Sequence, residues 1–154
     1  MASRSRQVLD AVRDALVTIN GAGSYTHNLS GTDAVKIGRS RPEDTVLPAA
    51  WVAVATLRSE HGTGSGRYRR LLTVDIEARV SATSQTTEER ACTALDLLDD
   101  IVTALEANRT MGGLIYDLIL EGVDIDGDEI GMSNVGIVYA QVVLWWEVAS
   151  GVGV

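Results

Sequence analysis

The chain has 154 residues, 45% of them hydrophobic and 22% charged, which supplies one core and excludes an intrinsically disordered chain. A net charge of −8 disfavours tight binding to nucleic acid, which needs Lys and Arg clustered against the phosphates. One cysteine, Cys92, excludes an internal disulfide framework and a multi-cysteine metal site.

Residues 4–20 place Val8, Leu9, Val12, Leu16 and Ile19 at helical spacing, opposite Arg6, Asp10, Arg13 and Asp14. The pattern predicts an amphipathic helix that stops at Asn20 and Gly21. Its charges make it neither a signal peptide nor a membrane span, and no other stretch offers roughly 18 uninterrupted apolar residues. Synthesis and folding in the cytosol are therefore expected. From 24 to 48, Gly31, Gly38, Pro42 and Pro48 interrupt the chain repeatedly. Two short strands, Tyr25 to Ser30 and Ala34 to Ile37, are expected there, followed by a surface loop from Arg39 to Pro48.

Residues 49–59 alternate Trp51, Ala53, Ala55 and Leu57 with Val52, Val54 and Thr56. Both sets are mostly apolar, which predicts a strand that is central or covered on both faces. A Gly-rich connection, His61 to Gly66, leads to the clearest strand, 68–81. There Leu72, Val74, Ile76, Ala78 and Val80 alternate with Thr73, Asp75, Glu77 and Arg79. The pair predicts a long hairpin. A second helix is expected over about 86–108, opened by the capping box of Thr86 and Glu89. Its expected buried stripe is Ala91, Leu95, Leu98, Val102 and Leu105, with Glu88, Asp96, Asp99, Asp100 and Glu106 facing water. Strands at about 114–125 and 135–149 follow, with a turn at Asp126-Gly127 between them. The predicted fold is α+β, with two helices packed on one face of a mostly antiparallel sheet, in the order helix, strands, helix, strands.

Motifs that carry chemistry fail on inspection. Asp124 to Glu129 resembles the start of a calcium loop, but Glu129 and Val135 stand where that loop needs Gly and Glu, so an acidic turn is the better reading. Gly62 to Arg67 has the glycines of a phosphate loop without its Lys, and a strand follows instead of a helix. His27 and His61 lack a Cys or carboxylate at ligand spacing. Cys92 lies beside the apolar stripe of its helix and is expected to be a small buried residue. Asp99 and Asp100 are adjacent on a helix and diverge by about 100°, so they form no dyad. No catalytic residue, cofactor or metal is expected, and the chain is read as a non-enzyme.

The last strand is the most informative segment. Val138, Ala140, Val142, Leu144, Trp146 and Val148 form one face, and Ile137, Tyr139, Gln141, Val143, Trp145 and Glu147 form the other. The second face is too apolar for open water, which marks either a partner site or a surface covered by loop 38–48 or a helix. Tyr139, Val143 and Trp145 are thus candidate subunit contacts. Arg67, Arg69 and Arg70 cluster at the base of the Gly-rich hairpin in an otherwise acidic chain. They are candidates for setting register between identical neighbours, or else a solvated patch.

In order of elements, the chain resembles the tail terminator family of long non-contractile-tailed phages, the minor tail protein U-like group. The resemblance runs through RQVLDAVRDALVTI, LPAAWVAVATL, RRLLTVDIEARV, TTEERACTALDLLDDIVTAL, GGLIYDLILEGVDID and VGIVYAQVVLWWEV. It lies in fold and composition and includes no invariant chemical signature. It implies a hexameric ring that caps the tail tube, ends its polymerisation and offers its other face to the head-side connector or adaptor protein. The implied partners are copies of itself, the tail tube protein and that connector, with DNA only as passing cargo and no membrane. The implied location is the virion. Loops 39–48 and 61–67 are candidates for contacts with neighbouring rings. Alternative readings are another neck, tail-completion or head–tail adaptor subunit, or a dimeric small-ligand-binding regulatory domain.

Overall fold

The computed structural model describes residues 2–38, 46–61, 66–81, 86–126 and 135–149. The elements are α1 (Arg4–Val17), β1 (Val35–Ile37), β2 (Ala49–His61), β3 (Arg67–Ser81), α2 (Thr87–Glu106), β4 (Asp117–Asp126) and β5 (Val135–Ala149). They form an α+β domain with a five-stranded sheet in the order β1-β2-β3-β5-β4. β1 runs parallel to β2, and the other neighbours are antiparallel.

The alternation in β3 explains the centre of the sheet. Leu72, Val74, Ile76, Ala78 and Val80 are all buried. Across the ladder they meet Leu144, Val142, Ala140, Val138 and Gly136 of β5, so the two strands share one continuous apolar face. Both helices pack on it: Val8, Val12 and Leu16 of α1 and Leu97, Ile101 and Leu105 of α2 join the sheet residues in one cluster. Each fully buried Leu or Ile there contributes about 1.5–3 kcal/mol. Gly136 lets α2 approach closely, since a Cβ on it would stand 3.3 Å from Val80 and 3.4 Å from Ala94. Ser3 caps α1 by accepting the Arg6 N–H. The capping box of Thr86 and Glu89 is present at the start of α2.

The register breaks once in each strand flanking the β3–β5 pair. Ala55 is extra in β2, between Val54 and Thr56, and Glu121 is extra in β4, between Leu120 and Gly122. Both bulges lie beside the Val74–Val142 pair, where an inserted residue bends its strand and raises the local twist.

Four expectations are corrected. The buried stripe of α2 is Ala94, Leu97, Leu98, Ile101, Ala104 and Leu105, while Ala91 is exposed and Leu95 is 47% exposed. This helix carries leucines on more than one side, and its approach to the sheet selects among them. Cys92 is exposed, because it lies on the side of α2 opposite the buried stripe. Asp100 is buried, whereas Asp99 is exposed. Finally, Tyr25 to Ser30 form no strand, only an isolated bridge between Asn20 and Asn28. The Asp100 carboxylate takes the consecutive N–H groups of Thr26 and His27, which a ladder would have directed to opposite sides. The loop expected at Arg39 to Pro48 and the turn at Asp126-Gly127 fall partly outside the described residues, as does most of the Gly-rich connection at 62–65.

Candidate subunit interface

Strand alternation sends Ile137, Tyr139, Gln141, Val143, Trp145 and Glu147 to the sheet face opposite the helices. β3 adds Arg67, Arg69, Leu71, Thr73, Asp75, Glu77 and Arg79 to that face, and β2 adds Trp51 and Ala53. The face has two ends. At one end Trp51 and Ile137 are each 2% exposed, and the Arg79 guanidinium lies over the Trp51 ring at 5.6 Å while pairing with Glu77 at 2.9 Å. In the middle, Gln141 donates to Asp75 at 2.9 Å.

The other end is built around Trp145. Its ring stacks on Tyr116, with centroids 5.0 Å apart and planes within 3°. The Arg69 guanidinium covers the Trp145 ring at 4.3 Å, a contact worth about 0.5–1 kcal/mol where exposed. Leu71 lies directly across from Trp145, and Thr73 across from Val143. Leu71 and Val143 are buried and form the floor of the patch; Ile119 and Tyr116 stand in solvent at 53% and 58% exposure.

The six candidate residues are therefore only partly brought together. Val143, Trp145 and Arg69 share one patch, and Val143 supplies its floor rather than its contact surface. Arg67 lies on the same face and pairs with Glu147 at 3.1 Å. Arg69 also pairs with Glu60, its neighbour across the β2–β3 hairpin, at 3.6 Å. Tyr139 is exposed on the same face but lies beside Glu77, six residues up the strand from Trp145, about 20 Å away. Arg70 points to the helix side, where it donates to Ser59. Parity in β3 could have separated Arg70 from Arg67 and Arg69 in the sequence. Tyr116 and Ile119 were not singled out from the sequence; the signal available was the opposite parity of Ile119 to the buried Leu118.

At the start of β4, Arg109 donates to Asp117 at 2.8 Å and to the Leu118 carbonyl at 2.7 Å. The hydrogen bond from Arg109 holds the Asp117 carboxyl below its usual range, helped by the Leu118 N–H. The same bond raises the Arg109 guanidinium above its ordinary value.

The two histidines stay apart in role: His27 Nε2 lies 3.2 Å from the Thr93 carbonyl, and His61 stacks on Tyr68. Among the described residues, no group of three or more His, Cys, Asp or Glu could hold a metal ion. No helix among them is long and apolar enough to cross a membrane. One cavity of about 330 Å³ adjoins the Tyr116 end, lined by Arg4, Leu114, Ile115, Tyr116, Trp146 and Glu147. A second, also about 330 Å³, lies between α1 and α2, against Ala15, Ala104 and Met111.

The fold and this face define a small α+β domain with an aromatic patch on the sheet surface opposite its helices. No protein-family model matches the chain, and no curated protein matches it in sequence.

Proposed function

We propose that this protein is a non-enzymatic structural subunit of a long-tailed phage, a tail terminator whose copies form a ring on the head-proximal end of the tail tube. The observation that carries the reading is the aromatic patch of Tyr116, Ile119 and Trp145 on the face opposite both helices. Aromatic side chains with a guanidinium stacked on them are favoured anchors in protein contacts. The resemblance in element order supplies the class of assembly.

The mechanism is physical. One face of the ring matches the tube end, and the other cannot accept a further tube subunit, so growth stops; such selectivity needs mismatch as well as fit. The second face then meets the head-side connector. A net charge of −8 per subunit accumulates around the ring and gives passing DNA little to bind.

Light scattering on the purified chain, alone and mixed with preformed tail tubes, tests the reading. It predicts a closed ring of about six copies, in solution or on tube ends, the number taken from the family resemblance. A stable dimer closed over an apolar pocket would point instead to a ligand-binding regulatory domain. A monomer that ignores tubes would remove the ring altogether.

A further inference from the structure

A ring closes only when each subunit offers two different surfaces, because a contact using the same patch on both partners ends in a two-fold dimer. The two edges of this sheet differ in that way. At one edge β2 runs on past Val52, its last partner in β1, to His61. With β3 it forms an arm carrying Arg58, Arg67, Arg69 and Arg70 against Glu60. At the other edge the stretch Asp117–Gly122 of β4 carries Asp117, paired with Arg109, and the exposed Glu121, and no basic residue of its own. Each edge also leaves apolar side chains in solvent: Leu57 and Tyr68 on the arm, at 46% and 37% exposure, and Ile119 on β4.

Charge selects the pairing. β4 against β4 would bring the exposed Glu121 to a second edge that offers it no unpaired cation, and arm against arm would add guanidiniums to guanidiniums, since Arg58, Arg67, Arg69 and Arg70 outnumber Glu60; neither arrangement is favoured. The arm against β4 joins opposite charges and also places apolar side chains on both sides of the contact. Resting on the ring reading above, we infer that the arginine-bearing β2–β3 arm of one copy docks on the Ile119–Glu121 stretch of β4 in the next copy. The contact works through side chains more than through an added ladder. Arg109 already occupies the Leu118 carbonyl, and the Glu121 bulge interrupts the strand, and both features make an edge a poor template for open-ended sheet growth.

The test uses the full chain with exposed residues from each edge. Arg58→Glu and Glu121→Arg are made singly and together. Separately, Leu57→Cys and Ile119→Cys are combined in a Cys92→Ser background. Mass by light scattering, the far-UV spectrum and a non-reducing gel are read on each. Either single reversal should weaken assembly by about tenfold or more, as expected for a lost close charge pair at an interface. The double reversal should restore the ring. The cysteine pair should give a covalent ladder that stops at the ring number, which tests the contact even if a charge variant folds poorly. A ring that tolerates both reversals and yields no ladder overturns this contact and leaves the ring reading standing. A wild-type chain that stays monomeric alone and with tail tubes overturns both.

Discussion

The carboxylate of Asp100, on α2, accepts the backbone N–H of His27 at 2.7 Å, and both its oxygens lie 3.1 Å from the Thr26 N–H. One buried side chain thereby fastens the segment after α1 to the second helix. Replacing it by alanine strands two backbone donors and removes charge-assisted bonds. Asp100→Ala should cost about 2–3 kcal/mol, read by urea denaturation, whereas the exposed neighbour in Asp99→Ala should change stability by less than about 0.5 kcal/mol. Equal effects at the two positions would contradict the clamp.

The buried stripe of α2 gives a second contrast. Leu97 and Ile101 are fully buried, and Leu95 is 47% exposed. Leu97→Ala and Ile101→Ala should each cost about 2–5 kcal/mol, while Leu95→Ala should cost less than about 1 kcal/mol. The measurement is the denaturation midpoint at constant m-value.

The Arg109–Asp117 pair predicts a pH effect with a definite sign. The Asp117 carboxyl is held below its usual range by the Arg109 hydrogen bond. A depressed folded-state value means that its contribution is present above the unfolded aspartate pKa and is lost as pH falls through the folded one. A carboxyl titration followed by NMR should show Asp117 with a low midpoint, and Arg109→Ala should move it up. The pair is solvent-exposed, so added salt should weaken the shift. A midpoint unchanged by removing Arg109 would contradict the assignment.

At the Trp145 patch, assembly and folding should separate. The ring is stacked on Tyr116 and covered by Arg69, and it is partly exposed. Trp145→Ala is expected to weaken ring assembly while the far-UV spectrum and a cooperative melt persist. A folded variant that assembles normally would exclude this patch from the interface.

The parts of the fold legible in the sequence are those fixed by local chemistry. The two-residue alternation of Leu72 through Val80 set the face of β3, and Thr86 with Glu89 marked the start of α2 because both partners of the capping box lie within one turn. The parts that were not legible depend on distant packing. Leu95, Leu97 and Leu98 are equally apolar, and contact with the sheet decides which of them is buried. Asp100 looked like one of a solvated acidic row because its partners, Thr26 and His27, lie far away in the chain. β1 has three residues and pairs in parallel with β2, an arrangement that no local pattern encodes. At the candidate interface, the aromatic content of β5 was visible, but the stacking of Tyr116 on Trp145 joins a loop to a strand and arises only on folding.

Arrest of tube growth tests the terminator role most directly. Purified tail tube protein is polymerised with and without this chain, and tube length and end structure are followed by electron microscopy. A tail terminator should stop tubes elongating when it is added and leave a ring at one end of each. Tubes that keep growing at the same rate, with bare ends, would contradict that role.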